Sequence, residues 1–169
     1  HPRPRFFSAT FVMDLDRFDR QLLNLVQQDS AQTAERLAEQ VGLSPSAIQR
    51  RLKRMREQGV IVRDIAVLNP RAVGRPTFFV VSLEVEREGP ELLGPLRDWL
   101  ARHAEVQQAF YVTGETDYVL VVTARDTEAF ENFMAGLVKE NPNVRRFTTN
   151  VVLGLLKQGL TIPVPTDDK

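Results

Sequence analysis

Ser46, Gln49, Arg50 and Lys53 fall on one side of a short helical pattern that opens at Ser44-Pro45, with Ile48, Leu52 and Met55 on the other side. At ~100° per residue, such a helix pins its apolar side to a core and turns hydroxyl, amide and cationic groups outward. Those groups suit the edges of a DNA major groove: Arg and Lys meet guanine or phosphate, and Gln meets adenine. A charged outer face is also what an ordinary solvated helix carries, so local charge balance has to discriminate. Residues 44–63 hold six Arg or Lys (50, 51, 53, 54, 56 and 63) and one acid, Glu57. A solvated helix mixes its signs in i,i+4 pairs. This one is net positive, and the polyanion reading is the stronger.

The elements that must position this face lie immediately upstream. Ala34, Leu37, Ala38 and Val41 repeat at i, i+3, i+4 and i+7, which predicts a helix over 33–41. Gly42 ends it in a left-handed conformation, Ser44 caps the next helix, and Pro45 fits that helix's first turn. Leu15, Phe18, Leu22, Leu25 and Val26 predict a further helix over about 16–28, with Asp16 as its cap. Asp14, Asp16 and Asp19 are read as first-turn acids favoured by the helix dipole rather than as metal ligands. After Gly59, the β-branched run VIVRDIAVLNP predicts a short hairpin or wing. Three helices and a wing make a winged helix-turn-helix over 14–68, followed by a linker at 69–76 marked by Asn69-Pro70, Gly74 and Pro76.

The rhythm then changes. Strands are predicted at 77–86, 106–112, 118–124 and 144–156. One helix opens at Gly89-Pro90 with Leu92, Leu93, Leu96, Trp99 and Leu100 inward; another is capped by Asp126 and carries Phe130, Phe133, Met134, Leu137 and Val138. The order βαββαβ is the ferredoxin-like split arrangement, giving an α+β chain with this second domain at 77–164 and a tail at 165–169. Its helices cover one sheet face. Phe78 and Val80 with Val119 and Val121, or the alternate set, would offer the other face to a second subunit.

Composition agrees with this division. The 169 residues are 43% apolar, enough for one or two cored domains, and carry zero net charge. Residues 14–75 hold 11 bases and 8 acids, whereas 77–169 hold 9 bases and 14 acids. A basic head on an acidic body fits contact with a polyanion by one part only. Cysteine is absent, which excludes disulfides and thiolate metal sites. No apolar run approaches the ~20 residues needed to span a bilayer. Residues 1–13 read as a leader or tag. Catalysis finds no support: there is no cysteine nucleophile, GxSxG elbow or P-loop, and no His-carboxylate cluster at metal spacing. His103 fits a surface or capping role near a helix end.

With LDRFDRQLLNLVQQD at 15–29, LAEQVGLSPSAIQRRLKRMREQGVI at 37–61 and VTGETDYVLVV at 112–122, the chain resembles the Lrp/AsnC (feast/famine) transcription regulators over nearly everything from Met13 to Val164. The resemblance implies a cytoplasmic, nucleoid-associated regulator whose C-terminal domain is of the RAM or ACT-like kind. It implies dimerisation through that domain, further assembly, and control by an amino acid or related metabolite, with no cofactor, metal or membrane partner. It places Ser44, Ser46, Gln49, Arg50, Arg51 and Arg54 against double-stranded DNA. Gln49 and Arg50 are the choices for base edges; Lys53, Arg54 and Arg56 are those for phosphates. A two-fold dimer would require a roughly palindromic operator with half-sites ~34–36 Å apart or a multiple of that.

The family's effector motif falls on Gly114, Glu115, Asp117 and Tyr118. There Gly114 would permit close backbone approach, Asp117 would receive an α-ammonium, and turn amides would receive a carboxylate. Thr148 and Thr149 would contribute from a neighbouring subunit. The competing reading makes TGETD a tight turn between antiparallel strands, where Gly and Asp are expected in any case. Two alternatives to a sequence-specific regulator stand beside it: a low-specificity, nucleoid-organising DNA-wrapping protein, and a metabolic enzyme or its regulatory subunit.

Overall fold

The computed structural model describes residues 14–86 and 90–166 and resolves the chain into two compact units. The first joins residues up to Ala66 with the C-terminal stretch from Gln158; the second runs Val67–Lys157. The expected leader at 1–13, the inward placement of Leu92 and the last tail residues, 167–169, lie outside what is described.

In the first unit α1 spans Arg17–Val26, α2 Ala34–Val41 and α3 Pro45–Glu57. Each start is satisfied by a side chain, because the first N–H groups of a helix have no partner within it. Thr33 accepts from the Arg36 amide, and Ser44 accepts from the Ala47 amide at 3.2 Å. Asp16 and Asp19 form a reciprocal capping box at the start of α1. Gly42, at φ +76°, closes α2 in the left-handed region, where residues with a Cβ are strained. Leu22, Leu37, Ile48 and Met55 are fully buried at the centre of the three helices.

The hairpin expected after α3 does not form. Residues 60–69 contain no strand, and Val62, Ile65, Val67 and Leu68 are exposed, Val67 by 74%. β-Branched composition suits a strand, but a strand needs a ladder partner. None is present within this unit among the described residues.

The second unit begins with a 3₁₀ turn at Pro70–Ala72 and continues β1 Thr77–Val85, α4 Pro90–Arg102, β2 Val106–Tyr111, β3 Tyr118–Ala124, α5 Thr127–Glu140 and β4 Val144–Val151. The sheet is antiparallel in the order β2-β3-β1-β4, which is the split βαβ topology expected from the element order. Phe79, Val81 and Leu83 of β1 and Tyr118, Leu120 and Val122 of β3 face α4 and α5, where Trp99, Phe133 and Leu137 complete the core. Phe78, Val80, Val119 and Val121 occupy the opposite face, Val80 facing Val121 across the ladder.

β4 ends five residues before the predicted limit. Its ladder runs to Phe79↔Val151, with one further bond from the Val152 amide to the Phe78 carbonyl at 2.9 Å. β1 begins at Thr77, so the partner strand stops there. The chain beyond leaves the sheet, and the stretch from Gln158 groups with the helical unit.

Candidate nucleic-acid interface and effector turn

Along α3, Ser44, Ser46, Gln49, Arg50, Lys53, Arg54 and Arg56 are exposed, whereas Ile48 and Met55 are buried. The apolar stripe therefore anchors the helix, and the predicted polar face is turned outward. Ser44 is occupied as a cap, and its hydroxyl lies 3.2 Å from that of Ser46.

Arg51 departs from the expectation. It is half-buried, and its Nη1 donates to Asp16 Oδ2 at 2.7 Å and to Asp19 Oδ1 at 2.8 Å. Arg54 donates through Nη2 to Asp19 Oδ2 at 2.7 Å while remaining partly exposed. The acids placed by dipole reasoning at the start of α1 are therefore also the anchor for α3. The reason is burial. Asp19 is 1% exposed, and a buried carboxylate requires compensating charge and hydrogen bonds. Burial pushes the Asp16 carboxyl up, but the Asp19 amide and the Arg51 guanidinium outweigh it and hold the group below its ordinary value. Burial likewise lowers Arg51, yet its bonds to Asp19 and Asp16 leave it raised overall.

These pairings redistribute the basic patch. Lys53 lies 3.8 Å from Glu57, and Arg56 lies 3.3 Å from Asp64. Among the described residues of this stretch, Arg50 and Arg63 remain exposed without an ion-pair partner. Asp16 and Asp19 as partners of α3 were missed from sequence. The available signal was the pairing of two acids at i,i+3 with an excess of Arg elsewhere in the same unit.

The turn after β2 is held tightly. The Asp117 amide donates to the Leu83 carbonyl at 2.9 Å, and Asp117 Oδ2 accepts the Val85 amide at 2.7 Å. Thr116 Oγ1 donates to the Leu83 carbonyl at 2.7 Å, and Gly114 has φ +127°. Asp117 thus does structural work at the end of β1, which favours the turn reading for that carboxylate over its expected role with an ammonium group. Gly114 and Glu115 are exposed at the tip. Tyr118 is buried on the helix side of the sheet, its ring 5.2 Å from that of Tyr111.

Thr148 lies opposite Ser82 and Thr149 opposite Val81, so they point to opposite faces of the sheet. No single pocket takes both hydroxyls from one strand. His103 Nδ1 donates to the Trp99 carbonyl at 2.7 Å and its ring stacks on that of Trp99, which is a helix-end role. Among the described residues no cluster of His, Asp or Glu is arranged to hold a metal ion, and no helix is long and apolar enough to cross a membrane.

Residues 15–62 match the family model for a winged helix-turn-helix DNA-binding domain, and residues 79–162 match that for the Lrp/AsnC ligand-binding domain. The HTH-type transcriptional regulator y4tD of Sinorhizobium fredii is 42% identical over 154 residues, covering 91% of each chain. The chain belongs to the Lrp/AsnC family. It is an HTH-type transcriptional regulator that joins a DNA-binding domain to a ligand-binding domain. The leucine-responsive regulatory protein of Escherichia coli is 29% identical over 153 residues, covering 90% of this chain and 93% of that one. Two solved structures are similar throughout. An AsnC family regulator from Agrobacterium tumefaciens has a TM-score of 0.79 at 29% identity, covering 88% of this chain and 96% of its own. A Neisseria meningitidis regulator in complex with L-Met has a TM-score of 0.78 at 28% identity, with the same coverage. Membership places this Lrp/AsnC chain among regulators, against the enzymatic alternative.

Proposed function

We propose that this Lrp/AsnC regulator reads DNA through Gln49 and Arg50, with Ser44, Ser46, Lys53, Arg54 and Arg56 contacting the backbone and Arg51 acting from within the domain. The supporting observation is the contrast along α3. Arg51 and Arg54 are tied to Asp16 and Asp19, whereas Arg50 projects outward without an ion-pair partner. A guanidinium with no internal partner keeps its full donor fork for a guanine edge or a phosphate. In this reading the protein acts in the cytoplasm as a homodimer built on the sheet face opposite its helices. It binds a roughly palindromic operator, and higher assembly of dimers is part of the same reading.

The effector is an amino acid, with L-Met the first to test because a structural relative binds it. It binds at the tip of the 113–118 turn, where Gly114 admits close approach and Glu115 is free to take an ammonium group. Asp117 shapes the turn from below, Tyr118 supports it from the core, and one of Thr148 and Thr149 lines the site.

Footprinting on genomic fragments tests the first part. Discrete phased sites support a specific regulator, and length-dependent coating would favour the nucleoid-organising alternative. Thermal melts across the amino acids test the second, and unchanged melting with all of them would remove the effector site.

A further inference from the structure

Residues 162–165, Ile-Pro-Val-Pro, run along α1 and are held by side chains rather than by a sheet. Asn24 Nδ2 donates to the Val164 carbonyl at 2.8 Å, and the Val164 amide donates back to Asn24 Oδ1 at 3.1 Å. Gln27 repeats the arrangement with Ile162: Nε2 donates to its carbonyl at 2.9 Å, and its amide donates to Oε1 at 2.7 Å. Arg20 Nη1 adds a long bond of 3.4 Å to the Pro165 carbonyl. The Val164 side chain packs against the helical core.

The chemistry of both partners explains the fit. Asn24 and Gln27 are three residues apart, hence neighbours on one helix face. Ile162 and Val164 are two apart, hence on one edge of an extended chain. Each is followed by a proline, which disfavours helical backbone at the residue before it. The prolines themselves lack an N–H, so the outward edge leaves no amide donor unsatisfied. The strap is therefore extended before it docks, and ordering it costs little.

We propose that Asn24 and Gln27 are positioning residues for DNA binding. They make the C-terminal strap a fourth element of the DNA-binding unit, which fixes α1. Because α1 supplies Asp16 and Asp19 to Arg51 and Arg54, the strap sets the stance of α3 and of Arg50. This rests on α3 being the recognition helix. It also gives the chain a second covalent route from sheet to DNA-binding unit, through residues 152–161 after β4, besides the linker before β1.

The test compares the full chain, a chain ending at Lys157, and the full chain carrying N24D and Q27E, on a DNA site footprinted with the full chain. In N24D and Q27E a carboxylate oxygen faces the strap carbonyl where an amide donor stood, with side-chain size unchanged. Truncation and the double variant are each expected to weaken operator binding by about tenfold, the scale of one or two lost hydrogen-bond pairs. A synthetic peptide of residues 158–166 is expected to restore binding to the truncated chain, but not to a truncated chain that also carries N24D and Q27E. Amide exchange is expected to quicken in α1 and α3 and stay unchanged in β1 and β3. Undiminished operator binding by both the truncated chain and the double variant would overturn the proposal. So would unchanged exchange in α1. A full chain that binds no DNA while the exchange result holds would count against the recognition helix instead of the strap.

Discussion

Asp19 and Arg54 lie 35 residues apart in sequence and 2.7 Å apart in space, and Arg51 reaches the other Asp19 oxygen at 2.8 Å. One buried carboxylate therefore joins the first helix of the DNA-binding unit to the third. Helix α3 holds two kinds of arginine: Arg51 and Arg54, which fasten it to α1, and Arg50 and Arg56, which face outward.

Removing the fastener is expected to cost more than removing either arginine. Asp19→Ala leaves Arg51 unable to pair fully inside the domain and should destabilise the helical unit by about 2–4 kcal/mol. Denaturant unfolding followed by far-UV circular dichroism measures this. A loss under about 0.5 kcal/mol, the range of ordinary surface substitutions, would show that the cluster is not structural.

Arg50 and Arg51, adjacent in sequence, are expected to separate binding from stability. Arg50→Ala should weaken specific DNA binding by about 1–3 kcal/mol and leave the melting temperature nearly unchanged. Arg51→Ala should lower the melting temperature first, with DNA affinity following the folded fraction. Mobility shifts on operator and random DNA, beside melts of both variants, decide. Equal loss on both DNAs for Arg50→Ala would reassign that residue to a phosphate contact.

Acid should act through Asp16. Its folded pKa lies below its unfolded value, so the unfolded chain binds the proton more readily. The contribution is then present in full above the ordinary carboxylate range, about 3.9, and is lost as pH falls through the lower folded value. Wild type and Asp16→Asn, compared by urea unfolding across acid pH, should differ most near neutrality and converge as pH drops. A gap that widens on acidification would reverse the sign of this account.

Gly114 sits at φ +127°, and a Cβ built there meets nothing within 4 Å. Any cost of Gly114→Ala is therefore backbone strain and not collision, about 1–3 kcal/mol against the sheet domain. Calorimetry reads that cost. A melt identical to wild type would mean that the turn relaxes without difficulty.

Much of this architecture was legible because its causes are local. The 3.6-residue spacing of Leu22, Leu37 and Ile48 with their neighbours marks three helices, and Ser44-Pro45 and Asp126 mark helix starts that the structure reproduces to a residue. The apolar, β-branched run Tyr118–Ala124 marks a strand, and the order of elements gives the sheet topology. The outward polar face of α3 follows from the inward placement of Ile48 and Met55.

Other features depend on partners distant in the chain. β4 is as long as β1 allows, and the apolar run after Val151 leaves the sheet although its composition continues to suit a strand. The run after Gly59 has strand composition and no ladder. Thr148 and Thr149 are adjacent letters on opposite faces. Tertiary structure alone decided that Asp16 and Asp19 hold Arg51 and Arg54, and that Asn24 and Gln27 hold Ile162 and Val164. By itself the sequence determined helices, strands, their order and the basic face, because periodicity and capping act within a few residues. Which charge meets which, and where an extended segment docks, was decided only when folding brought distant residues within the ~3 Å over which a hydrogen bond acts.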